Sequence, residues 1–110
     1  PLSDSQMMQL FNYDVQAKIA LARSKVKSYD SLPGYVQNAI VDGFFRGDLA
    51  GSPKTLELMN QGDFSAAGTE YLNNNEYRKS KTDRTGVAPR MERNAAAYST
   101  YGAQVQELNK

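Results

Sequence analysis

The chain has 110 residues, 40% of them hydrophobic and 23% charged, with 13 Lys and Arg against 12 Asp and Glu for a formal net charge of +1. This length supports one domain that buries roughly two-thirds of its unfolded surface, and the near balance of charge supplies no global attraction for nucleic acid. With no cysteine and no histidine, disulfides, thiolate nucleophiles, Cys/His zinc sites and imidazole acid-base chemistry are excluded, so any general acid or base has to be a carboxyl group.

Apolar runs are only a few residues long, against the ~20 of a membrane-spanning helix and the ~7 to 15 of a signal-peptide core. The expectation is a chain with no membrane span and no export signal.

The first element opens with Ser3-x-x-Gln6, a capping box, and Leu2 and Met7 bracket it as a hydrophobic staple. Met8, Phe11, Val15, Ile19, Ala22 and Val26 then recur at three-four spacing, which predicts a long amphipathic helix of about five turns with this stripe toward the core. Lys25 and Lys27 suit its negative end, and Ser28-Tyr29-Asp30-Ser31 predicts a turn.

Tyr35 to Gly47 is the segment around which the rest is organised. Val36, Ile40 and Phe44 form one i, i+4 row and Val41 and Phe45 a second, leaving Gln37, Asn38 and Asp42 as a thin polar edge. A helix apolar on more than one face needs neighbours on most sides. Pro33 marks its start and Gly47 its left-handed C-terminal cap, while Gly43 inside it predicts close approach of another helix backbone.

Asp48 to Gly51 predicts a connection, and Ser52-Pro53 an N-cap followed by proline in the first turn of a short helix carrying Leu56 and Met59. Gly62 stops that helix, and Asp63 caps a second one bearing Phe64, Ala67, Tyr71 and Leu72. Asn73 to Gly86 lacks a clear period and reads as a long loop. The last helix follows Pro89, with Met91, Ala95 and Tyr98 on one face; after Gly102 the pattern fades, with Val105 and Leu108 able to dock one more turn. Period-two alternation of β-branched residues is absent, so the expected class is all-α: one domain over 1–110, with a long strut helix in 1–28, a compact helical lobe in 29–102 and a tail in 103–110.

Among the carboxylates, Asp4 and Asp63 are explained as helix starts and Asp30 and Asp48 as turn residues. Asp42, on the polar edge of the buried helix, is the candidate for a further role, with a local hydrogen-bonding role competing. Glu70 and Glu76 are imaginable as a glycosidase pair, but spacing does not separate that from solvated surface, and solvated surface is the expectation. Tyr77, Arg78, Lys79, Lys81 and Arg84 have the composition of a phosphate or single-strand binding loop, diluted by Glu76 and Asp83. Phe44-Phe45-Arg46 places an aromatic and an arginine at the end of the buried helix, where core packing is the plain alternative.

In order, Leu2-Ser3-Asp4, Leu10-Phe11-Asn12-x-Asp14-Val15, Tyr29-Asp30-Ser31-Leu32, Phe45-Arg46-Gly47, Leu58-Met59, Gly62-Asp63-Phe64 with Ala66-Ala67, and Pro89-Arg90-x-x-Arg93 with Tyr98 resemble the C-terminal lobe of the phage-type lysozymes, two-lobed muramidases of the T-even kind. In that family the catalytic glutamate, an aspartate and a threonine lie in an N-terminal lobe within a Glu-x8-Asp-x5-Thr pattern. No glutamate here begins such a pattern, and the tryptophan usual before the late helix is missing.

The resemblance implies a lysozyme-like helical lobe that forms one wall of a peptidoglycan cleft, with the first helix as the strut between lobes. Catalytic residues are expected outside this chain, in a lobe supplied by the same or a partner chain. Phe45 and Arg46 are implied to border the saccharide site, and Arg90 to approach the catalytic glutamate and tune its acidity. It further implies no cofactor and no metal, peptidoglycan as the ligand, and action at the wall of a bacterial host either as a lysis enzyme or on a virion beside other virion proteins. The alternatives are an inactive wall-binding or virion structural module, and a small helical nucleic-acid-binding domain using Tyr77 to Arg84.

Overall fold

The computed structural model of the chain describes residues 2–109. Among the described residues there are six α-helices, one 3-10 turn and no strand: α1 Asp4–Lys25, the turn Tyr29–Ser31, α2 Gly34–Arg46, α3 Pro53–Asn60, α4 Phe64–Tyr71, α5 Asn75–Asp83 and α6 Val87–Leu108. The protein is all-α, as its helical periodicity predicts.

α1 starts at the capping box. The Ser3 hydroxyl accepts from the Gln6 N–H at 3.1 Å while Gln6 Oε1 accepts from the Ser3 N–H at 2.9 Å, so two donors that an open helix end would leave unmatched are satisfied. At its other end Asn60, from α3, donates to the Lys25 carbonyl at 3.0 Å and accepts from the Lys27 N–H at 2.9 Å. One side chain thus ties the end of α1 to α3.

The apolar stripe of α1 meets the core only late. Ala22 and Val26 are fully buried, and Val15 and Ile19 partly, whereas Met8 and Phe11 are 58% and 59% exposed. Three-four spacing fixes which residues share a face, but burial also needs a second surface, and only the C-terminal half of α1 has buried or half-buried residues. The first half of the strut projects from the globule.

α2 is the buried centre, held between α1 and α6. Val36, Ala39, Ile40, Gly43 and Phe44 are buried, and Gly47 closes the helix with φ 83° and an N–H bond to the Phe44 carbonyl. Gly43 serves a different purpose from the one its position suggests. A Cβ there would meet the Leu49 side chain at 2.7 Å rather than another helix backbone, because the chain doubles back after Gly47 and drops Leu49 onto α2.

Close helix approach occurs instead between α4 and α6. A Cβ at Gly68 would run into Ser99 and, at 2.9 Å, the Ala95 carbonyl, and one at Gly102 would run into the backbone and hydroxyl of Ser65. Two glycines, one from each helix, therefore let these backbones lie against each other. Tyr71 and Tyr98 meet edge to face at 5.4 Å beside this contact, and the Tyr98 hydroxyl donates to the Ala39 carbonyl at 3.0 Å, which joins α4, α6 and α2.

Two segments differ from expectation. The stretch expected as a loop contains α5, capped by Asn74, whose Oδ1 accepts from the Tyr77 N–H at 2.7 Å, and closed by Arg84 in the left-handed region at φ 57°. The helix was hidden because its sequence, Asn-Glu-Tyr-Arg-Lys-Ser-Lys-Thr-Asp, offers no apolar period. Ser80, buried, anchors it: its hydroxyl accepts from the Ala88 N–H at 2.8 Å and shares a short hydrogen bond with Thr85. Beyond 103 the chain continues as the end of α6 to Leu108, so the further turn forms, with Val105 half-buried but Leu108 84% exposed and undocked.

Candidate functional site

Local rules put the site residues in place. On α2, Asp42 and Arg46 are four apart and share its polar edge; on α6, Arg90 and Asn94 do the same on the side facing α2. The turn after Gly47 delivers Asp48, the last residue of α4 is Tyr71, and the first turn of α5 brings Glu76. Five elements thereby converge on one polar seam.

The seam is a continuous hydrogen-bond chain. Arg90 Nε reaches both Asp42 oxygens at 3.1 Å, and Nη2 makes a further short contact to Oδ1. Asn94 Nδ2 donates to Asp42 Oδ2 at 2.8 Å and lies 3.3 Å from the Tyr71 hydroxyl, which in turn donates to Asp48 Oδ2 at 2.9 Å. Arg46 Nε donates to the same Asp48 oxygen at 2.8 Å, and its Nη2 to Glu76 Oε1 at 3.2 Å. The Asp48 side chain is only 4% exposed and that of Arg46 15%, so their charges are drawn out of water and depend on each other.

Electrostatics follows from this wiring. Burial alone would raise the Asp42 carboxyl, but hydrogen bonds from Arg90 and Asn94, with the charges of Arg90 and Arg46, outweigh it and hold the group below the ordinary 3.8. Arg90 is held above its ordinary value, first by its hydrogen bonds to Asp42. The Tyr71 hydroxyl is pushed up, chiefly by burial and further by Asp48 and Asp42. Asp42 is therefore a fixed anion at neutral pH and not a proton donor.

A shallow cleft of about 160 Å³ opens beside the seam, lined by Gly47, Asp48, Gly51, Ser52, Asn74, Glu76 and Met91. Its wall carries carboxylates, a hydroxyl and a side-chain amide over the buried apolar Met91. The exposed Glu76 carboxylate can accept hydrogen bonds from a ligand there, whereas the Asn74 amide is engaged by Tyr77 and Tyr71, and Asp48 and Met91 present almost no side-chain surface. Among the described residues no group of three or more Asp or Glu is placed to hold a metal ion, and no helix is long and apolar enough to cross a membrane.

Of the residues singled out from sequence, Arg46 and Arg90 belong to one network, joined through Asp48, Tyr71, Asn94 and Asp42. Phe45 does not. It is 41% exposed on the α1 side of α2, with Lys18 Nζ 6.0 Å from its ring centre. Glu76 is paired with Arg46, while Glu70 sits on α4 near Asn73, and no hydrogen bond joins these two glutamates. Tyr77 is half-buried, bonds to Glu92 through its hydroxyl at 2.8 Å and has Lys81 over its ring at 5.7 Å, so its face is already occupied. Asp48, Tyr71 and Asn94 were not singled out as site residues. The i, i+4 spacing of Asp42 with Arg46 and of Arg90 with Asn94 is the signal that could have pointed to a shared polar edge.

Comparison with protein-family models, with curated proteins and with solved structures finds no match.

Proposed function

We propose that the chain is a peptidoglycan-binding helical lobe of phage-lysozyme type, contributing one wall of a glycan cleft while the catalytic acid lies in residues outside the chain. The observation that carries this reading is the cleft beside the Arg46–Asp48–Glu76 group. The exposed Glu76 carboxylate and the half-buried Ser52 hydroxyl at this cleft suit the hydroxyls at the rim of a pyranose ring. The carboxylates are pre-positioned by Arg46 and Tyr71, so little ordering is required on binding. Action at the cell wall of a bacterial host, as part of a lysis enzyme or on a virion beside other virion proteins, belongs to the same proposal.

A titration of the isotope-labelled chain with soluble N-acetylhexosamine oligomers tests it. The amide signals of Gly47, Gly51 and Asn74 are expected to move together and saturably. No movement there, with the chain folded, contradicts the reading.

A second reading is an inactive wall-binding or virion structural module. The closure of Arg90 onto Asp42 within the same chain favours it, because that guanidinium is already matched and has less freedom to tune an acid across a cleft. Addition of a segment carrying Glu-x8-Asp-x5-Thr separates the two: clearing of cell walls supports the lysozyme lobe, and binding without clearing supports the module.

A further inference from the structure

The geometry points to antiparallel self-association of the chain through the projecting half of α1. This half carries Met7, Met8, Leu10 and Phe11 at 52% to 59% exposure, an apolar face of a kind that soluble surfaces rarely leave uncovered. What selects the occupant is the pattern of charge along the seam. Asp4, Met8, Phe11, Val15 and Lys18 follow 4-3-4-3 spacing, the spacing of a two-helix seam.

The two charged ends of the seam, Asp4 and Lys18, lie at equal distances along the helix on either side of Phe11. Two copies crossing there in opposite directions set Phe11 against Phe11, Met8 near Val15 and, at each end, Asp4 against Lys18. A parallel pair would instead oppose Asp4 to Asp4 and Lys18 to Lys18, so charge alone chooses the antiparallel form. Residues 2 to 17 otherwise hold only one charged side chain, Asp14, on the flank of the seam. Lys18, the cation required at the far end, is half-buried at the foot of the projecting half beside the exposed Phe45 ring, where the opposing helix tip with its exposed Leu2 would arrive.

The 15 residues from Asp4 to Lys18 span about 22 Å of a helix about 10 Å wide, which is smaller than the ~800 Å² per partner of a standard stable interface. The pair is consequently a weak one, with a Kd on the order of 10 µM. It rests on α1 alone, and a lobe joined to this strut, as the proposed function has it, would compete for the same face.

Sedimentation equilibrium of the 110-residue chain tests the pairing, with Asp4→Lys, Lys18→Asp and the double exchange measured beside the wild type. Each single reversal is expected to raise the dimer Kd about 10-fold, and the double exchange to bring it back within about 3-fold. Because the chain has no cysteine, a Phe11→Cys variant reports only on its own thiol. It is expected to form a disulfide-linked dimer faster than an Asn38→Cys variant, whose thiol lies on the exposed edge of α2. A monomer throughout the range to about 200 µM overturns the pairing. So does association that ignores both charge reversals, which would be unspecific adhesion of the apolar face.

Discussion

Arg90 of α6 grips Asp42 of α2 side-on, its Nε lying 3.1 Å from both carboxylate oxygens, and Asn94 one turn further along α6 holds the same carboxylate at 2.8 Å. Two helices that the chain separates by 48 residues are thereby keyed in register by one anion. Removing the anion leaves Arg90 and Asn94 without their partner. Asp42→Ala is expected to lower stability by about 1 to 2 kcal/mol, less than for a fully buried pair because Arg90 is partly exposed to water. Urea unfolding of the wild type and variant measures this.

The same pair contributes to the acid limb of stability. The folded-state Asp42 carboxyl lies below its ordinary value. Its contribution is therefore fully present above the unfolded pKa of ~3.9 and is lost as pH falls through the lower folded value. Unfolding midpoints taken between about pH 6 and about pH 2 are expected to fall less steeply for Asp42→Asn than for the wild type. Equal slopes would show that the carboxylate gains nothing from Arg90.

At the alkaline end the sign reverses. Tyr98 and Tyr71 are raised first by burial, so the folded protein keeps protons that the unfolded chain loses near pH ~10. Their contribution is complete below that pH and is lost as pH rises toward the folded values. An ultraviolet titration is expected to show a late tyrosinate phase that coincides with loss of helical circular dichroism. Tyr98→Phe is expected to shrink that phase and to cost about 1 kcal/mol, since the Ala39 carbonyl loses its hydroxyl donor.

The glycines divide by what surrounds them. Gly68→Ala is expected to cost about 1 to 3 kcal/mol, because its Cβ would press on the Ala95 carbonyl and on Ser99 between two helices that have no room to part. Gly34→Ala, with nothing within 4 Å of the added carbon and a position in the first turn of α2, is expected to raise stability by up to about 1 kcal/mol. Thermal unfolding of the two variants should move in opposite directions.

Much of this fold is written locally. Ser3 with Gln6, Asp63, Gly47 and Gly62 each mark a helix boundary through a cap or a left-handed residue, and the structure places every one of them so. α5 escaped because its single apolar side chain, Tyr77, sets no period, and because its C-terminal left-handed position is filled by Arg84 rather than glycine. The stripe of α1 was legible as a face, whereas its burial also needs a second surface. The end of the buried helix singled out Arg46, and the lysozyme resemblance Arg90. That they belong to one network depends on Tyr71 and Asp48, which bridge them only once α4 and the turn after Gly47 are packed.

Co-sedimentation of the chain with purified peptidoglycan sacculi, wild type beside Glu76→Ala, bears most directly on the proposed function. Glu76 lines the cleft, yet its side chain is 60% exposed, so its removal leaves the fold standing while stripping one acceptor from the wall. The wild type is expected to pellet with the sacculi in a saturable manner at physiological salt, and the variant to bind about 5-fold more weakly, the equivalent of one hydrogen bond. A wild-type chain that stays in the supernatant, or one that binds equally well without Glu76 and lets go on a modest rise in salt, would contradict a saccharide site in this cleft.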